Sequence, residues 1–195
     1  ALHGIKREFD EARQWAGKAL KVAPNLPEAW SALGDIELAL GNAAKASEAF
    51  GNAIKNRPIA TVDNAKRALI HVGLKKIPDA EKDIEALKKQ GLDKHPYVSY
   101  VQGRILFAQK QYPQAVDAFE ISRSGNPNDR MNRLYLATAY HLLGQSEKAL
   151  SLAKGLSADA PGSPLAKRLL AGVHISRSEY DAAKETLQTA LKVSP

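Results

Sequence analysis

The chain has 195 residues, of which 44% are apolar and 25% charged, a composition typical of a folded protein and not of a disordered one. Cysteine is absent, which excludes disulfides, thiolate metal sites and a cysteine nucleophile. The formal net charge is +7, but acids interrupt the lysines, as in Glu81-Lys82-Asp83, so we expect a solvated mixed-charge surface and no nucleic-acid partner. No apolar run approaches the roughly 18 residues needed to cross a bilayer.

Apolar residues recur three and four positions apart along the chain, which is the period of an amphipathic helix. Gly41 and Gly144 stand at predicted turns, where a helix often ends in a left-handed residue. Ser163-Pro164 is typical of a helix start, an N-cap followed by proline. The sequence therefore predicts an all-α fold with helices at 8–22, 27–40, 43–56, 61–73, 77–90, 97–109, 112–124, 129–142, 146–158, 163–176 and 180–193.

The helices repeat in pairs. The second helix of each pair carries an alanine that recurs at intervals of 34 or 35 residues. These alanines are Ala12, Ala46, Ala80, Ala115, Ala149 and Ala183. Small residues recur in the first helices, at Gly34, Ala68, Gly103, Ala137 and Ala171, and would let two antiparallel helices approach closely. Prolines close the pairs, at Pro24, Pro58, Pro96, Pro127, Pro161 and Pro195.

This pattern resembles the tetratricopeptide repeat (TPR), whose unit is a helix-turn-helix of 34 residues. The fullest match is the second unit, with Trp30, Leu33 and Gly34 in its first helix and Ala46 and Phe50 in its second. The resemblance covers the whole chain and implies one right-handed α-solenoid of about five and a half hairpins. The expected units are roughly 1–26, 27–60, 61–96, 97–128, 129–162 and 163–195.

The two ends of the sequence fall at unusual points of the repeat. The first unit lacks most of its first helix, and the chain stops at the end of a unit without the polar capping helix that such arrays normally carry. We therefore expect a fragment of a longer array, and we expect its uncovered end faces to favour end-to-end self-association.

The third unit departs from the repeat pattern. Arg67 and Lys75 stand where leucine and glycine are usual, and the stretch 90–96 lengthens the exit from the unit. One interpretation is a drifted repeat, and the other is a local change of superhelical pitch or a hinge.

No catalytic chemistry is predicted. The sequence has no phosphate-binding loop, no serine nucleophile elbow and no calcium loop, and its histidines lack zinc-site spacing. His71 and His174 share one repeat position and are expected to fill a packing niche. We therefore expect no enzyme activity, no cofactor and no metal.

The TPR resemblance implies that positions 2, 5, 9 and 12 of each unit face a concave groove. A soluble protein rarely leaves many aromatic and apolar side chains together on an open face without use, and aromatics and arginine are common at binding hot spots. The alternative is that these side chains pack into neighbouring units. The candidate partner-binding residues are Tyr97, Tyr100, Arg104, Phe107, Met131, Leu134, Thr138, His141, Leu165 and Arg168.

A second resemblance concerns the segment from His95-Pro96 through Tyr97, Tyr100 and Gly103 to Phe107, followed by Gln111-Tyr112. It is similar to the TPR lipoproteins of bacterial exosortase (PEP-CTERM) systems. That resemblance implies a periplasmic or outer-membrane-associated scaffold of exopolysaccharide export or sorting, held to the membrane only through a lipid anchor outside this chain; without it, we expect a cytoplasmic protein. The expected partner is a protein or peptide, and the alternative is an exported polysaccharide stacked on the aromatic groove residues.

Overall fold

The computed structural model describes residues 2–57 and 59–193, and the side chains of residues 8–57 and 59–192. The repeat-closing prolines Pro58 and Pro195 and the side chain of His3 lie outside the described residues. Within those limits all regular secondary structure is helical, which confirms the all-α prediction. The helices are α1 (Leu2–Val22), α2 (Pro27–Ala39), α3 (Ala43–Lys55), α4 (Thr61–Gly73), α5 (Ile77–Lys88), α6 (Pro96–Ala108), α7 (Tyr112–Gly125), α8 (Arg130–Leu142), α9 (Ser146–Asp159), α10 (Pro164–Ser176) and α11 (Tyr180–Val193).

The observed helix bounds agree with the predicted ones within two residues, except at the start of α1. This helix begins at Leu2, six residues before the predicted start. The prediction was wrong because it placed the start where the repeat pattern begins, although no proline or N-cap signal interrupts the chain between Leu2 and Phe9.

The helices form two compact units that divide after Asp93. Unit 1 contains α1–α5 and unit 2 contains α6–α11; in each, consecutive helices pack against one another. The division lies in the long exit from the third repeat. The repeat boundaries and the hinge remain predictions.

Close helix approach at the small-residue positions organises each unit. A Cβ built on Gly34 would lie 2.7 Å from the Phe50 ring, and one on Gly103 would lie 2.5 Å from the Phe119 ring. Both phenylalanines are fully buried. Glycine therefore stands where the facing side chain is aromatic. Where the residue sixteen positions later is aliphatic, as at Ile84, Ala153 and Leu187, the first helix carries alanine.

The turns between paired helices share one backbone conformation. Gly41 and Gly144 have φ of 78° and 71°, as expected for a left-handed helix end. Lys75, Lys110 and Ser178 occupy the same repeat position with φ between 60° and 63°. The turn conformation is thus kept even where the sequence lacks glycine, because the packed helices on either side determine it.

An ion pair compensates for the unusual arginine of the third unit, Arg67. Arg67, which replaces the usual leucine, donates from Nε to both oxygens of Asp83 at 3.2 Å. Asp83 is 4% exposed on α5. An ion pair therefore takes the place of an apolar contact between α4 and α5, in keeping with a drifted repeat.

We expect Gly103→Ala to lower the free energy of unfolding by about 1–2 kcal/mol, because the methyl group overpacks the Phe119 ring by more than the helix gains from alanine. Phe119→Leu should recover part of this loss in the double variant, giving a coupling energy of about 1 kcal/mol in a double-mutant cycle. Urea unfolding followed by circular dichroism measures all four proteins.

The matched control is Gly17→Ala in α1, where a Cβ would meet no heavy atom within 4 Å. It should stabilise the protein by about 0.5–1 kcal/mol. Additive effects of Gly103→Ala and Phe119→Leu would contradict the proposed packing constraint.

Candidate functional site

The first helices of three successive hairpins, α6, α8 and α10, line a cavity of about 300 Å³ in unit 2. Seven predicted groove residues are among its lining: Phe107, Met131, Leu134, Thr138, His141, Leu165 and Arg168. They come together because residues three and four apart share a helix face, and packing of each first helix against the next aligns those faces. We call this site the unit 2 groove.

Three predicted groove residues lie outside the cavity lining. Tyr97 is half-buried, and Tyr100 is 7% exposed with its ring 6.1 Å from that of Phe119. The Tyr100 hydroxyl accepts a hydrogen bond from Arg104 Nη1 at 2.9 Å. Burial raises the pKa of Tyr100, although the Arg104 guanidinium opposes the rise. Tyr100 is therefore a packing residue behind the groove.

An aromatic cluster forms the α6 side of the groove. The Phe107 ring meets the Tyr135 ring edge-on at 5.4 Å and the Tyr112 ring at 5.3 Å. The guanidinium of Arg104 lies 3.9 Å from the centre of the Tyr135 ring, a cation–π contact. Arg104 does not line the cavity itself, but it contacts Tyr135, which does.

Sequence reasoning missed two lining residues, Tyr135 and Leu169. Both occupy the same repeat position, four residues after Met131 and Leu165, which the assumed groove positions omit. Each lies three residues before another lining residue, Thr138 and Gly172 respectively. The helical period alone could have found them.

The polar groups of the groove are few. Thr138 Oγ1 donates to the carbonyl of Leu134 within its own helix. His141 Nδ1 is buried without a hydrogen-bond partner among the described residues. Gly172 leaves space in the wall, since a Cβ there would lie 3.9 Å from His141 Nε2. Arg168 is exposed and forms no ion pair within the part of the chain that the structure describes.

The charges of unit 1 are arranged differently, because acids and bases pair with each other. Asp35, a predicted groove position, binds Lys66 at 2.6 Å, and Glu28 binds Arg57 at 2.9 Å. Glu37 is 4% exposed and accepts from Arg13 Nε at 2.7 Å and from Asn42 at 2.8 Å. Burial alone would raise the pKa of Glu37, but the hydrogen bonds from Arg13 and Asn42 outweigh it and hold the pKa below its usual value.

A row of polar side chains in unit 1 superficially suggests catalysis. Ser47 Oγ lies 2.9 Å from His71 Nε2, and His71 Nδ1 lies 3.1 Å from Asp83 Oδ2, without hydrogen-bond geometry at that nitrogen. Asp83 is already bound by Arg67, and Ser47 stands inside α3, where backbone N–H groups are used by the helix and cannot form an oxyanion hole. We interpret the row as packing. His174 makes a comparable contact, 2.6 Å from Glu179.

Among the described residues, no group of three or more histidine and acidic side chains is placed to hold a metal ion. Nor does any helix in that part of the chain combine the length and apolarity of a membrane span.

Two models of the tetratricopeptide repeat match the chain, one over residues 6–60 and 66–130 and the other over residues 106–173. The chain belongs to the tetratricopeptide repeat family. The TPR assignment made from the sequence is therefore confirmed, and with it the α-solenoid class of helical hairpins. No curated protein sequence matches the chain significantly.

Solved TPR structures share the fold. One chain in the crystal structure of the APC/C hetero-tetramer Cut9–Hcn1 aligns with a TM-score of 0.89 at 16% identity. The alignment covers 97% of this chain and 37% of that one, so this chain spans little more than a third of its length. PilW, a type IV pilus biogenesis factor, aligns with a TM-score of 0.80 at 20% identity, over 92% of this chain and 83% of that one. YrrB, a TPR protein with an unusual peptide-binding site, aligns with a TM-score of 0.65 at 17% identity, over 92% of both chains.

TPR proteins are generally non-catalytic scaffolds that bind protein or peptide partners. The family to which the chain belongs is thus one of protein-interaction scaffolds.

We expect Glu37→Gln to lower the free energy of unfolding by about 2 kcal/mol at pH 7, because charged hydrogen bonds to Arg13 and Asn42 are lost in a buried site. A carboxyl with a depressed pKa contributes stability that is complete above its unfolded-state pKa and is lost as the pH falls. The difference between the two proteins should therefore shrink towards about pH 3. Urea unfolding at several pH values measures it.

The matched control is Glu28→Gln, whose ion pair with Arg57 is exposed and should contribute about 0–1 kcal/mol. A difference for Glu37→Gln that stays constant on acidification would contradict the assignment of the depressed pKa.

Proposed function

We propose that the chain is a non-catalytic scaffold that binds an extended peptide segment of a protein partner in the unit 2 groove. The observation that carries the proposal is the convergence of three first helices on one cavity with apolar walls. Met131 and Leu165 at its rim are each 42% exposed. A volume of about 300 Å³ lies at the small end of the range for ligand sites and suits one or two side chains of a peptide.

Two further features support a peptide as the occupant. The groove combines aromatic residues, methionine and arginine, the residue types that interfaces favour. YrrB, which shares the fold, is described as having a peptide-binding site. The walls are supported from behind by the buried cluster of Ala137, Leu156 and Ala166, so the site is largely formed before a partner arrives.

A polysaccharide partner is less well supported. Stacking on sugar rings requires accessible aromatic faces, and the hypothesis relied on Tyr97, Tyr100 and Phe107. Tyr100 is buried, and Phe107 contacts Tyr112 and Tyr135. No observation in the described residues favours the polymer over a peptide.

We also propose that the scaffold works in a bacterial envelope, beside an exopolysaccharide export or sorting apparatus. The support is the resemblance of the segment from His95 to Phe107 to exosortase-associated TPR lipoproteins, together with a fold shared with PilW, which is a pilus biogenesis factor. Periplasmic or outer-membrane association follows from that proposal.

The groove proposal is tested with a phage-displayed random peptide library panned on the 195-residue chain. We expect the selected peptides to lose at least about tenfold in affinity, or roughly 1.4 kcal/mol, for Met131→Asp/Leu165→Asp, because charges would replace apolar rim contacts. Ile121→Asp is the matched control, since Ile121 is 40% exposed on α7 and outside the groove. Peptides that bind the Met131→Asp/Leu165→Asp variant undiminished would refute the proposal.

The location is tested separately, by the gene and by cell fractionation. We expect an upstream signal peptide with a lipid-accepting cysteine, and the protein in the envelope fraction. A cytosolic protein without such a leader would remove the envelope proposal and leave the groove proposal intact.

A further inference from the structure

The first helices of unit 2 carry only one sign of charge. No aspartate or glutamate occurs in α6, α8 or α10, whereas their cationic residues are Arg104, Arg130, Arg133, Lys167 and Arg168. The second helices of unit 2 are mixed, with acids in each of α7, α9 and α11. The positive charge is therefore concentrated on the helices that form the groove.

Several of these cations have no carboxylate partner. Arg133 is bound by Asp159 and is neutralised. Arg104 donates to the Tyr100 hydroxyl and lies over the Tyr135 and Tyr100 rings, and none of Arg104, Arg130 and Arg168 forms an ion pair among the described residues. In unit 1, by contrast, the acids of α2 and α4 pair with nearby bases. The groove-forming helices of unit 2 thus carry arginines that pair with no carboxylate of the described residues, which favours an anionic partner.

The unpaired charges lie beside the apolar cavity. Arg168 lines it from α10, and Arg104 stands on Tyr135, which lines it from α8. The apolar side chains of Phe107 and Leu134 line the same cavity as Arg168. A guanidinium binds a carboxylate through two parallel hydrogen bonds, and the low dielectric of an apolar wall strengthens that contact.

We infer that the unit 2 groove recognises an acidic peptide segment, in which an apolar side chain enters the cavity and carboxylates next to it bind Arg168 and Arg104. This inference rests on the proposed peptide-binding function and specifies its partner. The apolar contact supplies affinity, and the charge complementarity supplies selectivity and speeds association.

The test uses three synthetic peptide pools of equal length, each with a central leucine or phenylalanine. The flanking positions are Asp/Glu in the first pool, Ser/Gln in the second and Lys/Arg in the third. Fluorescence anisotropy with the 195-residue chain measures binding at low and at high salt. We expect the acidic pool to bind at least about tenfold more tightly than the neutral pool, with the advantage falling at high salt.

Arg168→Glu should remove the preference for the acidic pool and improve binding of the basic pool. Arg123→Gln is the matched control, because Arg123 is an exposed arginine on α7, paired with Glu120 and outside the groove. It should leave the order of the pools unchanged. Circular dichroism checks that each variant remains helical.

The outcomes separate the inference from the function on which it rests. If acidic and neutral pools bind equally, and Met131→Asp/Leu165→Asp abolishes both, the acidic selectivity is wrong and the groove function stands. If no pool binds, or if the affinity is the same for the Met131→Asp/Leu165→Asp variant as for the unchanged chain, both proposals fail. If a single-stranded oligonucleotide binds more tightly than the acidic pool and loses affinity in Arg168→Glu, the groove recognises nucleic acid and the acidic-peptide inference is overturned.

Discussion

The contact between a small residue in one helix and a large one in the next determines how closely the helices of each hairpin approach. In unit 2 the Phe119 ring occupies the space that a side chain at Gly103 would fill. Close approach within the hairpins leaves the first helices next to one another, so that α8 contacts both α6 and α10. The groove exists because those three helices present matching faces. Its geometry therefore depends on packing between hairpins, whereas its charge depends on arginines such as Arg168, which forms no ion pair among the described residues.

This separation allows the two units to differ in charge while keeping one fold. In unit 1 the ion pairs Asp35–Lys66 and Arg13–Glu37 each join neighbouring or successive helices, so charge serves to hold helices together. In unit 2 the cations of α6, α8 and α10 mostly lack such partners. Unpaired exposed arginines contribute little to folding stability, and their concentration on groove-forming helices is the reason for proposing an acidic partner. The difference is visible only when the partner of each charge is known.

The sequence predicts the helices and their pairing almost completely, because periodicity, glycine turns and proline ends all act locally. It predicts most of the groove, since residues at fixed repeat positions recur on the same face. It does not predict the burial of Tyr100. That side chain lies on the groove side in sequence position, but the absence of a side chain at Gly103 leaves room for the aromatic packing of Phe119 nearby. Whether an aromatic residue covers a core or lines a surface depends on its neighbours' volumes, which position alone does not give.

The same reasoning explains why Arg67 looked like a defect in the sequence. A repeat pattern records which residue type is usual at a position, but stability requires only that a buried group be satisfied by its partner. Asp83, sixteen residues later on α5, satisfies Arg67, and neither residue is informative alone. Arg168 is the converse case, because it fits the pattern of a groove position and yet has no partner within the described residues. A charge that departs from the repeat but is paired with a buried partner, as Arg67 is with Asp83, indicates packing. An exposed charge beside an apolar cavity that is left unpaired, as at Arg168, is the observation on which the acidic-peptide proposal depends.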